Sequence, residues 1–329
     1  MGSQIVSEHI LITGGAGFIG QDLTAALAND YRDLRLTITD VVQPPIPNSV
    51  AEHAHRINPI KCDLTDPTVV NDLLRPEYSA VYLLHGLMSG GAEANLELGW
   101  RVNWESHRCI LDFPRRHHPG IVVVFPSSLA VYGPAETNIG TPTRTSETTC
   151  PLPQSSYGAQ KLMVETYLND MSRRGLLDGR IVRLPTIIVR PGAPSAAASS
   201  FASGIVREPL NGMAAVLPVS KDLEMWVCSP ETVVRNLIHV KGVPAGKFGL
   251  SRVVNLPGVT VTVQEILDAL QAVGGSKVRS LVKEQRDPKV ETIVGSWPAR
   301  FDVTSAEALG MTPDYDLVEN VKRFSQRQK

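Results

Sequence analysis

Cysteine is scarce and scattered in this chain. The four residues, Cys62, Cys109, Cys150 and Cys228, form no Cys-x-x-Cys pair. That spacing rules out a common zinc knuckle and gives no sign of a disulfide framework. Net charge is missing as well. Lys plus Arg is 32 and Asp plus Glu is 33, a balance of −1, so the chain lacks the electrostatic footprint of a nucleic-acid binder. No apolar run approaches the ~20 residues that a membrane span requires. Residues 1–8 lack the basic-then-apolar layout of a secretory leader. The close histidine sets, His53 with His55 and His117 with His118, do not have zinc-ligand spacing, and no metal is expected. No internal repeat stands out. What is present is 43% hydrophobic residues over 329 positions, enough for one large or two modest domains with proper cores. These exclusions leave a globular, cytoplasmic protein with neither nucleic acid nor membrane as an expected partner.

Short β-branched runs alternate with helical patterns from residue 9 to about residue 185. Strands are expected at His9–Thr13, 34–39, 56–61, 80–84, 120–125 and 179–184, and helices at 18–29, 66–74, 95–113 and 155–173. The nearly all-apolar 120–125 run suits a parallel strand covered on both faces. Such alternation predicts right-handed βαβ units and an α/β fold, a Rossmann-type doubly wound parallel sheet. Pro126 should mark where the fifth strand leaves the sheet, since proline cannot donate to a ladder. After Pro185 the pattern breaks down, and Pro, Gly, Ala and Ser dominate 191–203. Helix starts return at Ser229-Pro230-Glu231, at Thr262 with Glu265, and at Thr304 with Glu307, the last with Gly310 as C-cap. Residues 1–185 are therefore read as the Rossmann domain. Residues 186–329 are read mainly as a smaller C-terminal α/β substrate domain, with segments near 225–256 returning to the Rossmann part.

The first strand runs into Gly14-Gly15-Ala16-Gly17-Phe18-Ile19-Gly20. A tight turn, close approach of a diphosphate, and packing of helix on strand each need a glycine. The helix that starts here offers free N–H groups and a positive dipole end to phosphates. Gly14, Gly17, Phe18 and Ile19 are thus candidate cofactor contacts. Asp40 ends the next strand, at the distance where an acid accepts from both ribose hydroxyls and repels a 2′-phosphate. No Arg or Lys follows closely, so NAD is favoured over NADP. Asp63 and Leu64 are candidate adenine-side contacts, although Asp63 equally reads as a helix-starting acid.

Tyr157 and Lys161 are four apart on one face of a predicted helix. A free tyrosine titrates near ~10, and work as a base near neutrality needs a fall of about 3 units, or about 4 kcal/mol. A nearby ammonium and a positive nicotinamide ring both favour phenolate. Ser127-Ser128 follow the fifth strand and so face the ligand crevice, where a serine hydroxyl can hold the substrate oxygen. Catalytic roles accordingly fall to Ser128, Tyr157 and Lys161.

Together, Gly14 to Gly20, Asp40, Asn103, Ser127-Ser128-Leu129-Ala130-Val131-Tyr132-Gly133 and Tyr157-x-x-x-Lys161 resemble the extended short-chain dehydrogenase/reductase superfamily, which includes the NAD-dependent epimerases and dehydratases. The resemblance covers nearly the whole chain. It implies NAD as cofactor, Ser128 as catalytic serine, Tyr157 as general base and Lys161 as ribose-binding lysine. It further implies that Asn103 and Pro185 belong to the cofactor site. His107 stands where many members carry Thr, with little effect expected. A narrower set, Leu87 to Glu93, Arg183 to Gly192 and Ala196 to Gly212, resembles the D-erythronate-oxidising branch. That likeness implies that Ser89 contacts cofactor and substrate and that Ser199-Ser200 border the substrate. From the residues alone, Ser199 or Ser200 reads as the cap of a helix whose N-terminus receives a carboxylate, or as an ordinary cap in a linker, and Trp226 reads as a pocket wall or, as large buried indoles more often are, as core. Arg183, Arg190 and Arg207 are candidates to pair that carboxylate, with Arg190 carried into the substrate set. His85 reads as a structural histidine near the crevice.

The expected activity is NAD-dependent oxidation of C2 of a small 2-hydroxy sugar acid to the 2-oxo acid. The competing activity is nucleotide-sugar epimerisation. Dehydration is disfavoured, because Leu129 and Ala130 follow Ser128 where an acid would be needed. A mere NAD-binding module would not need an intact Ser128, Tyr157 and Lys161. The resemblance also implies a homodimer through helices 95–113 and 155–173.

Overall fold

In a computed structural model, residues 8–134, 137–138, 141–142, 144–314 and 316–327 are described. Residues 1–7, most of the segment read for a leader, lie outside them. Apolar residues alternate along β1 (His9–Thr13), so Ile10 and Ile12 meet one face of the sheet and Leu11 the other. The glycine turn leads into α1 (Phe18–Asp30), then β2 (Arg35–Asp40) and β3 (Ile57–Lys61). Next come α2 (Pro67–Leu73), β4 (Ala80–Leu83), α3 (Ser89–Ala94) and α4 (Leu96–Trp100). α2 starts at Asp66, whose carboxylate accepts from the Thr68 amide, so Asp63 is not its cap.

The expected long helix over 95–113 is segmented. Asn95 caps α4, residues Arg101–Glu105 form a π turn, and α5 (Ser106–His117) continues. Such a turn adds a residue to the coil and re-aims the side chains around it. Just past it, the Ser106 hydroxyl donates to the Val102 carbonyl four residues back at 2.6 Å.

β5 (Val122–Ser128) is followed by the two-residue strands β6 (Thr137–Asn138) and β7 (Thr141–Pro142), then α6 (Ser156–Arg173) and β8 (Asp178–Leu184). Pro126 does not end β5, contrary to the expectation. Pairing with β8 runs on through Pro126↔Val182 to Ser128↔Leu184, whereas pairing with β4 reaches Tyr82↔Val124. The strand thus keeps one neighbour beyond the proline, and this carries Ser128 to the end of the sheet.

The remaining elements are β9 (Thr186–Ile187), α7 (Ser200–Leu210), β10 (Ala215–Leu217), β11 (Glu224–Cys228), α8 (Pro230–Gly242) and β12 (Val253–Asn255). β13 (Val259–Thr262), α9 (Val263–Arg279), β14 (Val282–Glu284), α10 (Pro288–Gly295), α11 (Thr304–Ala308) and α12 (Leu317–Arg327) complete the chain. Ser229 caps α8 and Thr262 with Glu265 forms a capping box on α9, as their spacing predicts. Thr304 does not cap α11. Asp302 instead accepts from its amide at 2.9 Å, while Gly310 takes the left-handed conformation expected of a C-cap residue.

Seven parallel strands order as β12-β8-β5-β4-β1-β2-β3, a doubly wound Rossmann-like sheet. α1 and α8 bury one face and α2, α5 and α6 the other. Residues 230–242 and 253–255 pack on this sheet. A second core gathers α7, α9, α12 and the small sheet β13-β11-β9. No helix of the described residues is long and apolar enough to cross a membrane.

Candidate active site

A cavity of about 640 Å³ opens at the C-terminal ends of β1, β4, β5 and β8, between the two cores. At one end lies the glycine turn. Gly14 has φ +71°, and a Cβ there would sit 2.6 Å from the His85 amide nitrogen, so the turn needs glycine both for conformation and for space. Gly17 occupies the N-cap of α1 and no side chain covers that end, which leaves amides for a diphosphate. Asp40 closes this end, its carboxylate accepting from the Ala16 amide at 3.1 Å and the Val41 amide at 2.7 Å. The residues present fit NAD. There is a bare helix start that suits its diphosphate, an acid that suits a ribose, and an opening toward Ser128 and Tyr157.

Gly14, Gly17, Phe18, Ile19 and Asp40 line the cavity, as do Asp63, Leu64 and Ser89. Asp63 ties up Thr65 through its amide at 3.0 Å and its hydroxyl at 2.8 Å, and these bonds hold its carboxyl below the usual range. Ser89 Oγ accepts from the Ala198 amide at 3.0 Å and so pins the 195–199 segment over the cavity.

At the other end Ser128, Tyr157, Lys161 and Pro185 meet Arg190 and Ser199. Ser155 caps α6 and aims Tyr157 at the end of β5. Burial outweighs the Arg190 charge and a hydrogen bond with Ser128, which both lower it, and leaves the Tyr157 phenol raised to about 12. Burial brings the Lys161 ammonium down to about 8, opposed by Glu165. Lys161 Nζ donates to the Pro126 carbonyl at 2.9 Å and lies 5.7 Å from the Tyr157 ring centre. The sequence reading assigned the lowering of the phenol to Lys161. In the structure the cation that does so is Arg190.

Of the three candidate arginines only Arg190 reaches the cavity. Arg183 is locked to Glu165 at 2.6 Å and also donates to the Tyr132 hydroxyl. Arg207 pairs with Glu208 at 2.6 Å and donates to the Arg190 carbonyl at 3.0 Å. Arg190 itself donates only to neutral acceptors: the Ile187 carbonyl at 3.1 Å, Ser195 Oγ at 3.2 Å and Ser199 Oγ at 3.1 Å.

Three expected residues stay off the cavity wall. Asn103 is buried and clamps the 86–88 loop, bonding the Leu87 amide at 2.7 Å and carbonyl at 3.0 Å, and it donates to Gln160 at 2.8 Å. Ser200 Oγ accepts from the Ser195 amide at 3.1 Å. Trp226 is core, stacked on Phe301 at 5.1 Å with its Nε1 donating to the Leu256 carbonyl at 3.4 Å. Ser199 holds the N-cap position of α7 without capping it, because its hydroxyl serves Arg190. The tryptophan in the cavity is Trp297, which no local pattern in the sequence singles out. Ser195 was missed likewise. Its only signal is its place among the small residues after Pro191. Among the described residues no group of three or more His, Cys, Asp or Glu could hold a metal.

Residues 10–244 match the NAD dependent epimerase/dehydratase family. The chain is 42% identical over 327 residues to the D-erythronate dehydrogenase of Cupriavidus necator, covering 96% of this chain and 97% of that protein. It is 40% identical over 317 residues to the D-erythronate dehydrogenase of Haemophilus influenzae, covering 96% and 98%. Among solved structures, a nucleoside-diphosphate-sugar epimerase from Agrobacterium tumefaciens superposes with a TM-score of 0.87 at 34% identity, covering 98% of this chain and 95% of that one. With a glycine cradle, a ribose-side acid and a serine–tyrosine–lysine set around one cavity, the chain belongs to the NAD dependent epimerase/dehydratase family and is an enzyme of the extended short-chain dehydrogenase type.

Proposed function

We propose that the enzyme oxidises the C2 hydroxyl of a small 2-hydroxy sugar acid, D-erythronate being the leading case, to the 2-oxo acid. The observation that carries this is Arg190. Arg180, Arg183 and Arg207 are buried and each has its carboxylate, in Asp178, Glu165 and Glu208. Arg190 faces the cavity and has none among the described residues. A desolvated guanidinium without a counter-charge suits a planar, singly charged carboxylate from the substrate. The 40–42% identity to two D-erythronate dehydrogenases supports the same substrate class.

With the carboxylate on Arg190, Ser128 holds the C2 oxygen and Tyr157 takes its proton. Bound NAD supplies the hydride acceptor. Lys161 binds the nicotinamide ribose and stabilises the phenolate through it. The C2 hydrogen leaves with the bonding electron pair, and the C2–O bond becomes a carbonyl. Asp40 accepts from the adenosine ribose. Asp40→Ser should raise the KM for NAD by about tenfold, the cost of one charge-assisted hydrogen bond, and narrow the preference over NADP. The ratio of kcat/KM for the two cofactors measures it.

A panel of four- to six-carbon aldonic acids with NAD, followed by NADH absorbance, tests the activity. NADH should form with D-erythronate, and its absence with every four-carbon acid would sink the reading. The second reading, nucleotide-sugar epimerisation, rests on the Agrobacterium likeness. It leaves no net NADH, so the same assay separates the two.

We further infer a cytoplasmic homodimer. Four free thiols, two of them buried, suit a reducing compartment. Leu96 and Trp100 stand one helical turn apart on α4, 55% and 39% exposed, a pair of apolar side chains that a second copy would cover.

A further inference from the structure

The floor beneath the cavity carries polar groups that the reaction above does not use. His85 follows β4, and its ring lies between Thr13 Oγ1 at 2.7 Å and Ser106 Oγ at 2.9 Å. His107, on α5, stacks on it with ring centroids 4.0 Å apart. His107 is 1% exposed, yet neither of its ring nitrogens has a hydrogen-bond partner. The Val102 carbonyl, which accepts from the Ser106 hydroxyl at 2.6 Å, lies near the ring and has a second lone pair for one His107 N–H, but the other ring nitrogen, an acceptor in the neutral ring, still lacks a donor. Ser127 Oγ is equally buried and unpartnered.

These groups are neighbours. Ser127 stands two residues beyond Phe125 along β5, so the two side chains share one face of the strand. Phe125, on that face, meets the His107 ring at 5.5 Å and takes the Lys161 ammonium over its own ring at 4.5 Å. The ammonium has three protons to place, and the Pro126 carbonyl accepts one of them at 2.9 Å. A buried polar atom without a partner bears its full desolvation penalty, and native interiors hold few such atoms. Where several share one small region, internal water is the usual partner, each molecule making about three hydrogen bonds.

We propose that an internal water site lies beneath Lys161, held by His107 and Ser127, and that His107 is a positioning residue that keeps the ammonium solvated through this water. The proposal rests on Lys161 as the ribose-binding lysine. It does not depend on which sugar acid is oxidised. The stacked imidazoles suit the task because they are neutral. Burial brings His85 down to about 3 and His107 well below the ordinary range. His107 therefore presents a lone pair, and neither ring adds a charge beside the ammonium. The other ionisable groups facing Lys161 are Glu165 and Tyr157 on its own helix, and β5 presents none.

A crystal structure of the NAD complex at a resolution that shows water tests the site directly. An ordered water bonded to a His107 nitrogen and to Ser127 Oγ is expected. A dry floor, or a His107 bonded only to protein, overturns the proposal. NAD affinity against pH, read by quenching of tryptophan fluorescence, tests the role without any substrate. Lys161 titrates near about 8. Its charge is present below that pH and lost above it, so NAD binding weakens as pH rises through this value. His107→Phe replaces the anchor with an apolar ring, and the weakening should begin about one pH unit lower, as desolvation destabilises the ammonium. His107→Gln keeps a polar anchor and should keep the wild-type curve. A folded His107→Phe protein with an unmoved curve overturns the role of His107, whereas failure of the sugar-acid assay alone leaves the water site standing.

Discussion

Tyr157→Phe should lower kcat by about 10³-fold, or about 4 kcal/mol of barrier, while the affinity for NAD changes less than about threefold. The ring that packs in the cavity stays and only the oxygen that takes the proton goes. Stopped-flow NADH formation gives the first quantity and fluorescence titration the second. Burial, only partly offset by the Arg190 charge and the Ser128 hydrogen bond, holds this phenol at about 12, so it is protonated at neutral pH until more positive charge is added. Arg190 already supplies some, and the nicotinamide ring adds more when NAD binds. The base is thus made by assembly of the complex. A phenylalanine variant that kept turnover within tenfold of wild type would remove Tyr157 from the chemistry.

Arg190→Met should raise the KM for a sugar acid by about 100-fold or more, from loss of a buried charge pair of about 3 kcal/mol. Methionine has similar length and keeps the wall filled. The decisive comparison uses an uncharged polyol of the same chain length. With no carboxylate to bind, it should be oxidised poorly by both proteins and equally in KM, so the effect of the substitution should vanish. Arg190→Lys keeps charge but not the two-pronged donor geometry and should fall between, at about tenfold. kcat should also fall in the methionine variant, because Arg190 is the charge that pulls the Tyr157 phenol down. If the methionine variant raises KM by the same factor on acid and polyol, Arg190 only shapes the wall.

Much of the site was legible because its constraints are local. The glycine turn is a matter of backbone conformation and of space within a few residues, and Tyr157 and Lys161 share a face through the helical repeat. The capping boxes at Ser229 and Thr262 are local in the same sense. Misreadings came where a side chain had distant choices. Trp226 was read as a pocket wall, yet pairing of β11 with β13 turns it onto Phe301, and Trp297 from after α10 reaches the cavity instead. Asn103 was expected at the cofactor, and in the structure it lies in the π turn and bonds the Leu87 backbone. Pro126 looked like the end of a strand, although a strand that has lost one neighbour can still pair on its other side.

By itself the sequence determined that this chain builds a dinucleotide cradle with an acid for the ribose, and that a phenol and an amine lie one helical turn apart beside it. Short-range sterics and helix geometry dictate those features wherever the segments end up. Only the tertiary structure decided which arginine is left free for a substrate. Glu165 and Glu208 neutralise Arg183 and Arg207, and only packing of helix on strand and folding of the 185–211 segment bring each carboxylate to its partner. The same packing leaves Arg190 ringed by hydroxyls and a carbonyl, with no carboxylate partner among the described residues.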